Sequence, residues 1–458
     1  MENNTTILEN TILTLIEEKK FSSVKDILIT MNSVDIASLL EDVDNEALIK
    51  VFRLLPKGLA ADTFVEMDTD LQEILIGCFS DRELKAVINE LYADDATDIV
   101  EEMPANVVSR ILKQASADMR KEINELLKYP EDSAGSVMTT EFVNFRSTIT
   151  ANAALDIIHR TGIDKETVNT CYVTDANRGL LGMVTLRSLI IANSEQEISE
   201  IMQTNVIKVT TDTDKETVAN LLKKYDLIAL PVVDNEDRLV GIVTIDDAID
   251  VIEEEATEDI EKMAAILPTD KPYLKLGIFE TVKNRIPWLL LLMISATFTG
   301  MIISSFEEKL KLFPALIAFI PMIMGTGGNS GGQSSTTVIR GLSLGEIEFK
   351  DIFKVIFKEL RVALLCGIIL SVVNFVKILV FDMWIMGTSF TGGLKENLIV
   401  SLTLLATVVI AKFVGCVLPM IAEKIGLDPA VMASPFITTI VDAISLIVYF
   451  GITILILM

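Results

Sequence analysis

The sequence predicts a multidomain chain with an all-α acidic N-terminal domain, an α/β tandem repeat, a connecting helix and a five-span α-helical transmembrane domain. Three observations lead to this fold class. Half of the 458 residues are hydrophobic, yet the formal net charge is −26. These two properties separate along the chain, which is polar and acidic up to about residue 285 and strongly apolar after it. A segment near the middle is also repeated once.

Changes in composition divide the chain into domains, and a chain of this length is expected to form more than one. We expect an acidic helical N domain over 1–135, a tandem repeat over 136–249, a connecting helix over 250–284 and a transmembrane domain with five helices over 285–458.

Short amphipathic segments fill the N domain. Examples are "NEALIKVFRLLP" and "DRELKAVINEL", whose apolar residues recur at helical spacing. Acidic residues open several of the segments, as the helix dipole favours, and Pro56 and Pro104 separate them. The pattern predicts a compact all-helical domain, arranged as a short right-handed stack of helix pairs.

Composition also excludes several functions. The chain has one histidine, His159, and four scattered cysteines, which supports neither a zinc site nor a disulfide framework. Its acidity argues against nucleic acid and anionic lipid headgroups as partners and favours cations. The N-terminal "MENNTTILEN" lacks the basic flank and apolar core of a signal peptide, so we expect the acidic half to be cytoplasmic.

The tandem repeat is visible in two aligned stretches. "CYVTDANRGLLGMVTLRSLI" (171–190) matches "LPVVDNEDRLVGIVTIDDAI" (230–249), and each predicts a strand, a tight turn, a second strand and a helix. This pattern resembles the CBS domain, which occurs in tandem pairs. The resemblance implies a possible adenine-nucleotide site near Thr185, Thr244 and Asp247.

Five apolar stretches are long enough to cross a bilayer. They are 287–306, 314–339, 362–381, 398–422 and 429–458. The loop between the second and third stretches carries the largest excess of basic residues, which places it in the cytoplasm. The acidic half is then cytoplasmic as well, and the C-terminus lies outside a cell membrane that the chain crosses several times, in contact with lipid.

Asp442 lies within the fifth span, where a carboxylate costs about 2.5–3.5 kcal/mol on insertion scales. Such a residue faces either a charged partner or a water-filled path. One alternative is a pair with Lys412 of the fourth span. The other is a cation path, which the hydroxyl residues Ser434, Thr438 and Ser445 near Asp442 favour.

The second span contains "GTGGNSGGQSSTT" (325–337), which is unusually polar for membrane depth. Glycines allow close helix contact, while Asn and Gln require hydrogen-bond partners. The run therefore indicates a tight helix–helix contact, the wall of a pore, or both.

The segment 244–263 holds nine acids and one basic residue, Lys262. Like charges on one helical face repel each other. The stripe is either a solvated surface or a site for a hard cation such as Mg²⁺, which binds oxygen ligands directly or through its waters. A second acidic group lies in "LYADDATDIVEEM".

These features together resemble the MgtE family of magnesium transporters and channels. The most specific shared motifs are "GGNSGGQ" (327–333) and the spacing from Asp428 to Asp442 in "DPAVMASPFITTIVD". The resemblance implies a non-enzymatic homodimer whose pore is lined by spans two and five and whose cytosolic domains sense Mg²⁺. It also implies that the connecting helix acts as a plug.

The resemblance also implies site residues. For the pore it implies Asp442, Asn329, Gly328, Ser434 and Thr438, with Ser434 and Thr438 standing where some members carry Asn and Ala. For the sensor it implies Asp94, Asp98, Glu216, Asp226, Asp247, Asp250, Glu255, Glu258, Asp259 and Asp428.

Two other functions are weighed against a Mg²⁺-gated Mg²⁺ channel. One is transport of a different ion under control of a nucleotide bound to the repeat. The other is intramembrane catalysis, which the sequence disfavours because there is no HExxH motif and no histidine after residue 159.

Overall fold

The computed structural model describes residues 2–269, 271, 273–310, 314–382, 394–432 and 434–457. The chain divides into two compact units, Met1–Ile252 and Glu253–Met458. Each unit has its own hydrophobic core.

The first unit opens with a purely helical region. Among the described residues its helices are α1 (Glu2–Glu17), α2 (Phe21–Leu28), α3 (Ser33–Glu41), α4 (Asn45–Phe52), α5 (Lys57–Val65), α6 (Thr69–Cys78), α7 (Asp81–Ile88), α8 (Ala93–Glu102), α9 (Ala105–Gln114) and α10 (Ala117–Leu126). Many of them pack on the helix two places later, as α3 does on α5 and α5 on α7. The prediction of an all-helical N domain is confirmed.

Polar residues between the apolar segments start these helices. Ser80 and Glu83 form a capping box at α7, because each side chain accepts a hydrogen bond from the other residue's backbone N–H, at 3.3 and 2.7 Å. Asp44 caps α4 in a similar way, accepting from the Ala47 N–H at 2.8 Å. The acids that open the segments in sequence therefore have a local structural role.

Two small α/β repeats follow. The first contains β1 (Phe142–Arg146), α11 (Ala151–Thr161), β2 (Thr167–Thr174), β3 (Leu180–Thr185), α12 (Leu186–Ile191) and α13 (Ile198–Ile201). The second contains β4 (Val209–Thr210), α14 (Lys215–Tyr225), β5 (Ala229–Val233) and β6 (Leu239–Thr244). In each three-stranded sheet the first pair is parallel and the second is antiparallel. The two copies therefore share one topology.

The glycine shared by the two repeats makes room for a crossing backbone. A Cβ on Gly182 would lie 2.7 Å from the Gln203 carbonyl oxygen, and one on Gly241 would lie 2.9 Å from the Thr139 carbonyl oxygen. Gln203 and Thr139 each form a backbone bridge to the residue after the nearby glycine. Glycine is required at both positions because any side chain would meet this backbone.

The repeated aspartates shape the hairpins. Asp175 Oδ1 accepts hydrogen bonds from the N–H groups of Asn177 and Gly179, at 2.7 and 2.8 Å. Asp234 Oδ1 does the same with Glu236 and Arg238, at 2.9 and 3.0 Å. The residues that reveal the repeat in sequence are thus those that set its turns.

Helix α15 (Ile245–Met263) carries the acidic stripe. It ends well before the limit of the connecting helix predicted over 250–284, and the next helix begins only at Ile278. Ala265 has a left-handed backbone with φ of 56°, and Pro268 follows it. Both features stop an α-helix, so the segment 250–284 is not one continuous helix: it is helical up to Met263 and again from Ile278.

The second unit contains the apolar part of the chain. Its remaining α-helices within the described residues are α16 (Ile278–Ser305), α17 (Glu307–Leu310), α18 (Pro314–Ile317), α19 (Ile320–Ser343), α20 (Ile352–Lys377), α21 (Leu394–Lys424) and α22 (Ser434–Leu457). α19 packs on both α21 and α22, and α20 packs on α21. These contacts build the core of the unit around α19 and α21.

Four helical stretches in the described chain are long and apolar enough to cross a membrane. They are Ile278–Ser305, Phe349–Val380, Leu394–Lys424 and Pro429–Leu457. Of the five predicted spans, the second falls short, although its core forms the 24-residue helix α19. The reason is the polar run 325–337, which lowers the hydropathy of that helix.

We predict that Gly241→Ala lowers the free energy of unfolding of the second repeat by about 1–3 kcal/mol, because the new methyl group overlaps the Thr139 carbonyl and the Met138 side chain. Hydrogen exchange of the β6 amides in the full chain measures this loss. Gly58→Ala is the matched control, since nothing lies within 4 Å of that position. Wild-type protection of β6 in Gly241→Ala would contradict the close crossing.

Candidate functional site

The glycines of α19 allow three helices to pack at very short range. A Cβ on Gly328 would lie 2.7 Å from Thr438 Cγ2 of α22, and one on Gly331 would lie 2.8 Å from Ile437 Cγ2. Gly415 of α21 rests directly on the Gly331 carbonyl. Of the two sequence interpretations of this run, close helix contact applies to these glycines.

Asp442 lies one turn beyond Thr438 on α22 and is half-buried. Its Oδ1 is enclosed and has no hydrogen-bond partner among the described residues. The neighbouring Val441 and Ser445 pack against Gly327 of α19, so the carboxylate stands at the edge of this close contact. An enclosed carboxylate oxygen without a partner is costly, which makes Asp442 a candidate position for a bound cation or water.

Lys412 does not neutralise Asp442. Its Nζ donates to Ser334 Oγ at 3.2 Å and lies 3.8 Å from the Glu359 carboxylate. The alternative in which Lys412 pairs with Asp442 is therefore wrong.

Asn329 faces a different side of α19 from Gly328. Whereas Gly328 is buried against Thr438, Asn329 is exposed and lines a cavity of ≈ 650 Å³ between α19, α20 and α21. Gly328, Thr438 and Asp442 are thus brought together, while Asn329 contributes to a neighbouring polar surface. Ser434 begins α22, and its side chain lies outside the described part of the structure.

The end of α15 carries a compact charged group. Lys262 Nζ lies 2.5 Å from Glu258 Oε1 and 2.7 Å from Asp428 Oδ2. Burial alone would lower the pKa of Lys262, but the hydrogen bonds to Asp428 and Glu258 raise it. Lys262 therefore stays charged and joins two of the candidate sensor acids.

Asp259 ties the same end of α15 to α19. Its Oδ2 accepts a hydrogen bond from Ser343 Oγ at 3.1 Å, and Met263 packs against Ile339 and Ala430. Burial and the nearby Asp428 carboxylate raise the pKa of Asp259. Lys262 and Ser343 are contact residues that the sequence analysis missed, although Lys262 was visible as the single basic residue in the acidic stripe.

A second acidic group lies in the first unit around α8. Burial, followed by the charges of Asp247 and Glu66, raises the pKa of Asp95 to about 6. Asp98 is exposed as a whole residue, but nearby protein atoms desolvate its carboxylate. This desolvation, followed by the charge of Asp95, raises the pKa of Asp98 to about 7. Burial and neighbouring acids also raise the pKa of Asp94, whose Oδ1 has no hydrogen-bond partner among the described residues.

Glu141 and Glu166 belong to this group and were not predicted. Burial and the charges of Asp246 and Asp247 raise the pKa of Glu166 to about 7. The two glutamates are brought together by a backbone hydrogen bond from Glu166 N–H to the Glu141 carbonyl, 2.9 Å long, beside the parallel pair β1–β2. No local pattern in the sequence indicates this contact, because it depends on sheet pairing.

The remaining candidate sensor residues are dispersed. Asp250 contributes to a raised pKa of Glu66, after burial. Glu216 lies in the first turn of α14 and Asp226 caps its far end, about 15 Å away for a helix of this length. Glu255 lies on α15. Within the described residues there is no group of three or more His, Cys, Asp or Glu side chains arranged to hold a metal ion.

The candidate nucleotide residues have structural hydrogen bonds. Thr185 Oγ1 accepts from the Ser188 N–H at 3.1 Å and caps α12. Thr244 Oγ1 donates to Asp247 Oδ2 at 2.5 Å at the start of α15.

Comparison with known proteins identifies the family. A profile described as a divalent cation transporter, MgtE, matches residues 320–452, the MgtE intracellular N domain matches 31–132, and CBS domains match 134–195 and 198–254. The magnesium transporter MgtE of Thermus thermophilus is 34% identical over 447 residues, which cover 96% of this chain and 97% of that protein. The magnesium transporter MgtE of Bacillus subtilis is 32% identical, and the matched region covers 96% of this chain and 95% of that protein. The chain belongs to the MgtE family.

Solved structures agree with this assignment. The cytosolic domain of the Mg²⁺ channel MgtE in complex with ATP is 34% identical, with a TM-score of 0.51 over 53% of this chain and 99% of that one. The soluble part of a magnesium transporter is 28% identical, with a TM-score of 0.52 over 55% of this chain and 99% of that one. The MgtE-family domains and the four apolar helices make this a membrane-spanning protein with cytoplasmic N-terminal domains.

We predict that the α8 region is more stable at pH 5.5 than at pH 8. The pKa values of Asp95 and Glu166, about 6 and about 7, lie above those of unfolded acids, near 4. Their stabilising contribution is therefore complete below about pH 4 and is fully lost above the folded pKa values, so part of it remains at pH 5.5 and none at pH 8. Hydrogen exchange of the α8 amides, corrected for intrinsic rates, measures the change, which should be on the order of 1 kcal/mol.

Asp95→Asn should reduce this pH dependence, because it removes one carboxylate from the group. Exposed Asp35→Asn on α3 is the matched control and should leave the dependence unchanged. Equal α8 protection at both pH values in the wild type would refute the raised pKa values.

Proposed function

We propose that this chain transports Mg²⁺ across the cell membrane, and that Asp442 binds the hydrated ion on a path lined by α19 and α22. The observation that carries the proposal is the enclosed Oδ1 of Asp442 in an apolar helical unit, which has no hydrogen-bond partner among the described residues. Relatives similar along nearly the whole chain are named magnesium transporters, which supports Mg²⁺ as the substrate. Mg²⁺ releases its waters reluctantly, so a carboxylate and nearby hydroxyls suit a hydrated ion.

We further propose that α19 also crosses the membrane, which gives five spans in total, and that the protein is a homodimer with the pore on its axis. One Asp442 carboxylate supplies one negative charge, whereas two copies would balance the charge of one Mg²⁺. Small residues of α19, such as Gly327 and Gly328, would allow α19 and α22, the two helices that line the path, to pack closely. In this arrangement the N-terminal domains are cytoplasmic and the C-terminus is outside.

The proposed regulation uses α15. Its last turn contacts α19 and the segment before α22 through Asp259, Lys262 and Met263, which supports a role as a plug at the cytoplasmic end of the path. Cytosolic Mg²⁺ would bind among the acids of α8 and α15 and bridge neighbouring carboxylates in the closed state, while Mg²⁺ release would remove these bridges and let the repulsion open it. The regulatory acids are Asp94, Asp98, Glu216, Asp226, Asp247, Asp250, Glu255, Glu258, Asp259 and Asp428.

ATP is a second proposed regulator. A structure with 34% identity to this chain is a cytosolic domain in complex with ATP, which supports a nucleotide site in the CBS pair here. The residues proposed to lie near it are Thr185, Thr244 and Asp247. We propose no enzymatic activity.

We predict that Asp442→Asn lowers Mg²⁺ uptake into proteoliposomes roughly twentyfold. A unit charge about 5 Å from a hydrated Mg²⁺ contributes about 1.7 kcal/mol in a water-like dielectric, and the asparagine keeps the size of the side chain. Asp351→Asn, at the partly exposed start of α20, where the carboxylate already pairs with Lys354, is the matched control and should transport normally. Wild-type uptake by Asp442→Asn would remove Asp442 from the path.

We predict that the combined change of Asp247, Asp250, Glu255 and Glu258 to their amides leaves the current at low cytosolic Mg²⁺ intact but abolishes closure at high Mg²⁺. The reason is that the amides keep the side-chain shape but cannot hold the Mg²⁺ that bridges the carboxylates in the closed state. Patch recording with stepped cytosolic Mg²⁺ measures both states. The control neutralises four exposed acids elsewhere in the N domain: Asp35, Glu46, Asp70 and Asp118. Unchanged closure in the first variant would exclude this sensor.

A further inference from the structure

A cavity of ≈ 650 Å³ in the second unit contains a charged pair that the proposed Asp442 site does not use. It lies between α19, α20 and α21, and we call it the α19 cavity. Its polar lining comes from Asn329, Gln333, Thr336, Thr337, Glu359 and Lys412. Amides, hydroxyls and a carboxylate together offer many oxygen acceptors, which suits a hydrated cation.

The charged pair is well enclosed. The side chains of Lys412 and Glu359 are 7% and 13% exposed, and Lys412 Nζ lies 3.8 Å from Glu359 Oε2. Ser334 Oγ joins them, because it donates to Glu359 Oε2 at 2.5 Å and accepts from Lys412 Nζ at 3.2 Å. An enclosed ion pair rarely stabilises a fold better than apolar side chains would, so its presence in an apolar bundle indicates another role.

The α19 cavity lies beside the part of α19 that connects the position next to Asp442 with the position that contacts α15. Asn329 directly follows Gly328, which packs on Thr438, one turn from Asp442. At the other limit, Ser343 is hydrogen-bonded to Asp259 of α15. These two positions on α19 are about 21 Å apart. An ion that passes from Asp442 toward the α15 end would travel along this stretch.

We propose that Glu359 is a second binding position for hydrated divalent cations, and that Lys412 is a tethered counter-ion that occupies the carboxylate when no ion is present. The proposal rests on the proposed transport function and adds a determinant of ion valence. An arriving divalent cation competes with the Lys412 ammonium for Glu359. A monovalent cation is attracted half as strongly and competes less well. The pair therefore favours divalent over monovalent ions.

The two charges should shift ion selectivity in opposite directions. Glu359→Gln removes the attracting charge and should lower the Mg²⁺/K⁺ permeability ratio about two- to fivefold. Lys412→Met removes the competing charge and should raise the ratio by a similar factor. Reversal potentials under bi-ionic conditions, with a Mg²⁺-free cytosolic face, measure the ratio in the full-length protein.

A purely structural pair gives a different result. Loss of either partner would then disturb the same packing and shift the ratio in the same direction, or leave it unchanged. Either outcome overturns the proposal. Lys358→Met is the matched control, because Lys358 is the exposed neighbour of Glu359 and does not line the cavity; its ratio should match the wild type.

A second comparison avoids leaving a carboxylate unpaired in the bundle. In the Glu359→Gln background, Lys412→Met should raise the permeability ratio relative to Glu359→Gln alone, and no rise would contradict the proposal. The Asp442→Asn variant distinguishes failure of the proposed transport function from failure of the α19 cavity proposal. If Asp442→Asn lowers Mg²⁺ transport about twentyfold while the Glu359 and Lys412 variants fail to diverge, only the inference about the α19 cavity is wrong.

Discussion

The proposed ion path depends on the carboxylate of Asp442. Asp442 stands at the edge of a contact between α19, α21 and α22 that is too close for side chains at Gly327, Gly328 or Gly331. Its Oδ1 is enclosed and has no hydrogen-bond partner in the described chain. Such an arrangement is unfavourable in an empty apolar bundle. It becomes favourable when a cation with its waters is the partner.

Two lysines make the contrast with Asp442 clear. The Lys412 ammonium contacts Glu359 and Ser334, and the Lys262 ammonium contacts Glu258 and Asp428. At both places the chain supplies its own cation to a group of oxygen ligands. Asp442 is left without one, although Lys412 belongs to a helix that packs against both α19 and α22. This distribution of charge is consistent with a path in which mobile cations meet Asp442 and compete with lysines elsewhere.

The sequence was most informative where function and local geometry use the same residues. Asp175, Gly182 and their counterparts identify the repeat because the hairpins and the crossing backbone require them. Asp442 was recognisable because a charge is rare in an apolar run. The polar run of α19 was correctly placed on a helix, but the sequence left open whether it packs or lines a path; its glycines pack, and Asn329 borders a cavity.

Other features depend on tertiary contacts that no periodicity reveals. Glu359 and Lys412 are 53 residues apart and meet only because α20 packs on α21. Glu141 and Glu166 join the α8 acids through strand pairing. The end of α15 at Met263 depends on the left-handed residue Ala265, which helix propensity alone would have placed inside the helix.

The central claim is that Asp442 holds a cation that keeps its waters. Hexaamminecobalt(III) tests it most directly, because this ion resembles hydrated Mg²⁺ in size and cannot release its ligands on the timescale of transport. Block of Mg²⁺ current by hexaamminecobalt(III) should be strong in the wild type and much weaker in Asp442→Asn, measured on the residual current of the variant. Equal block of both proteins, or no block of the wild type, would contradict the claim.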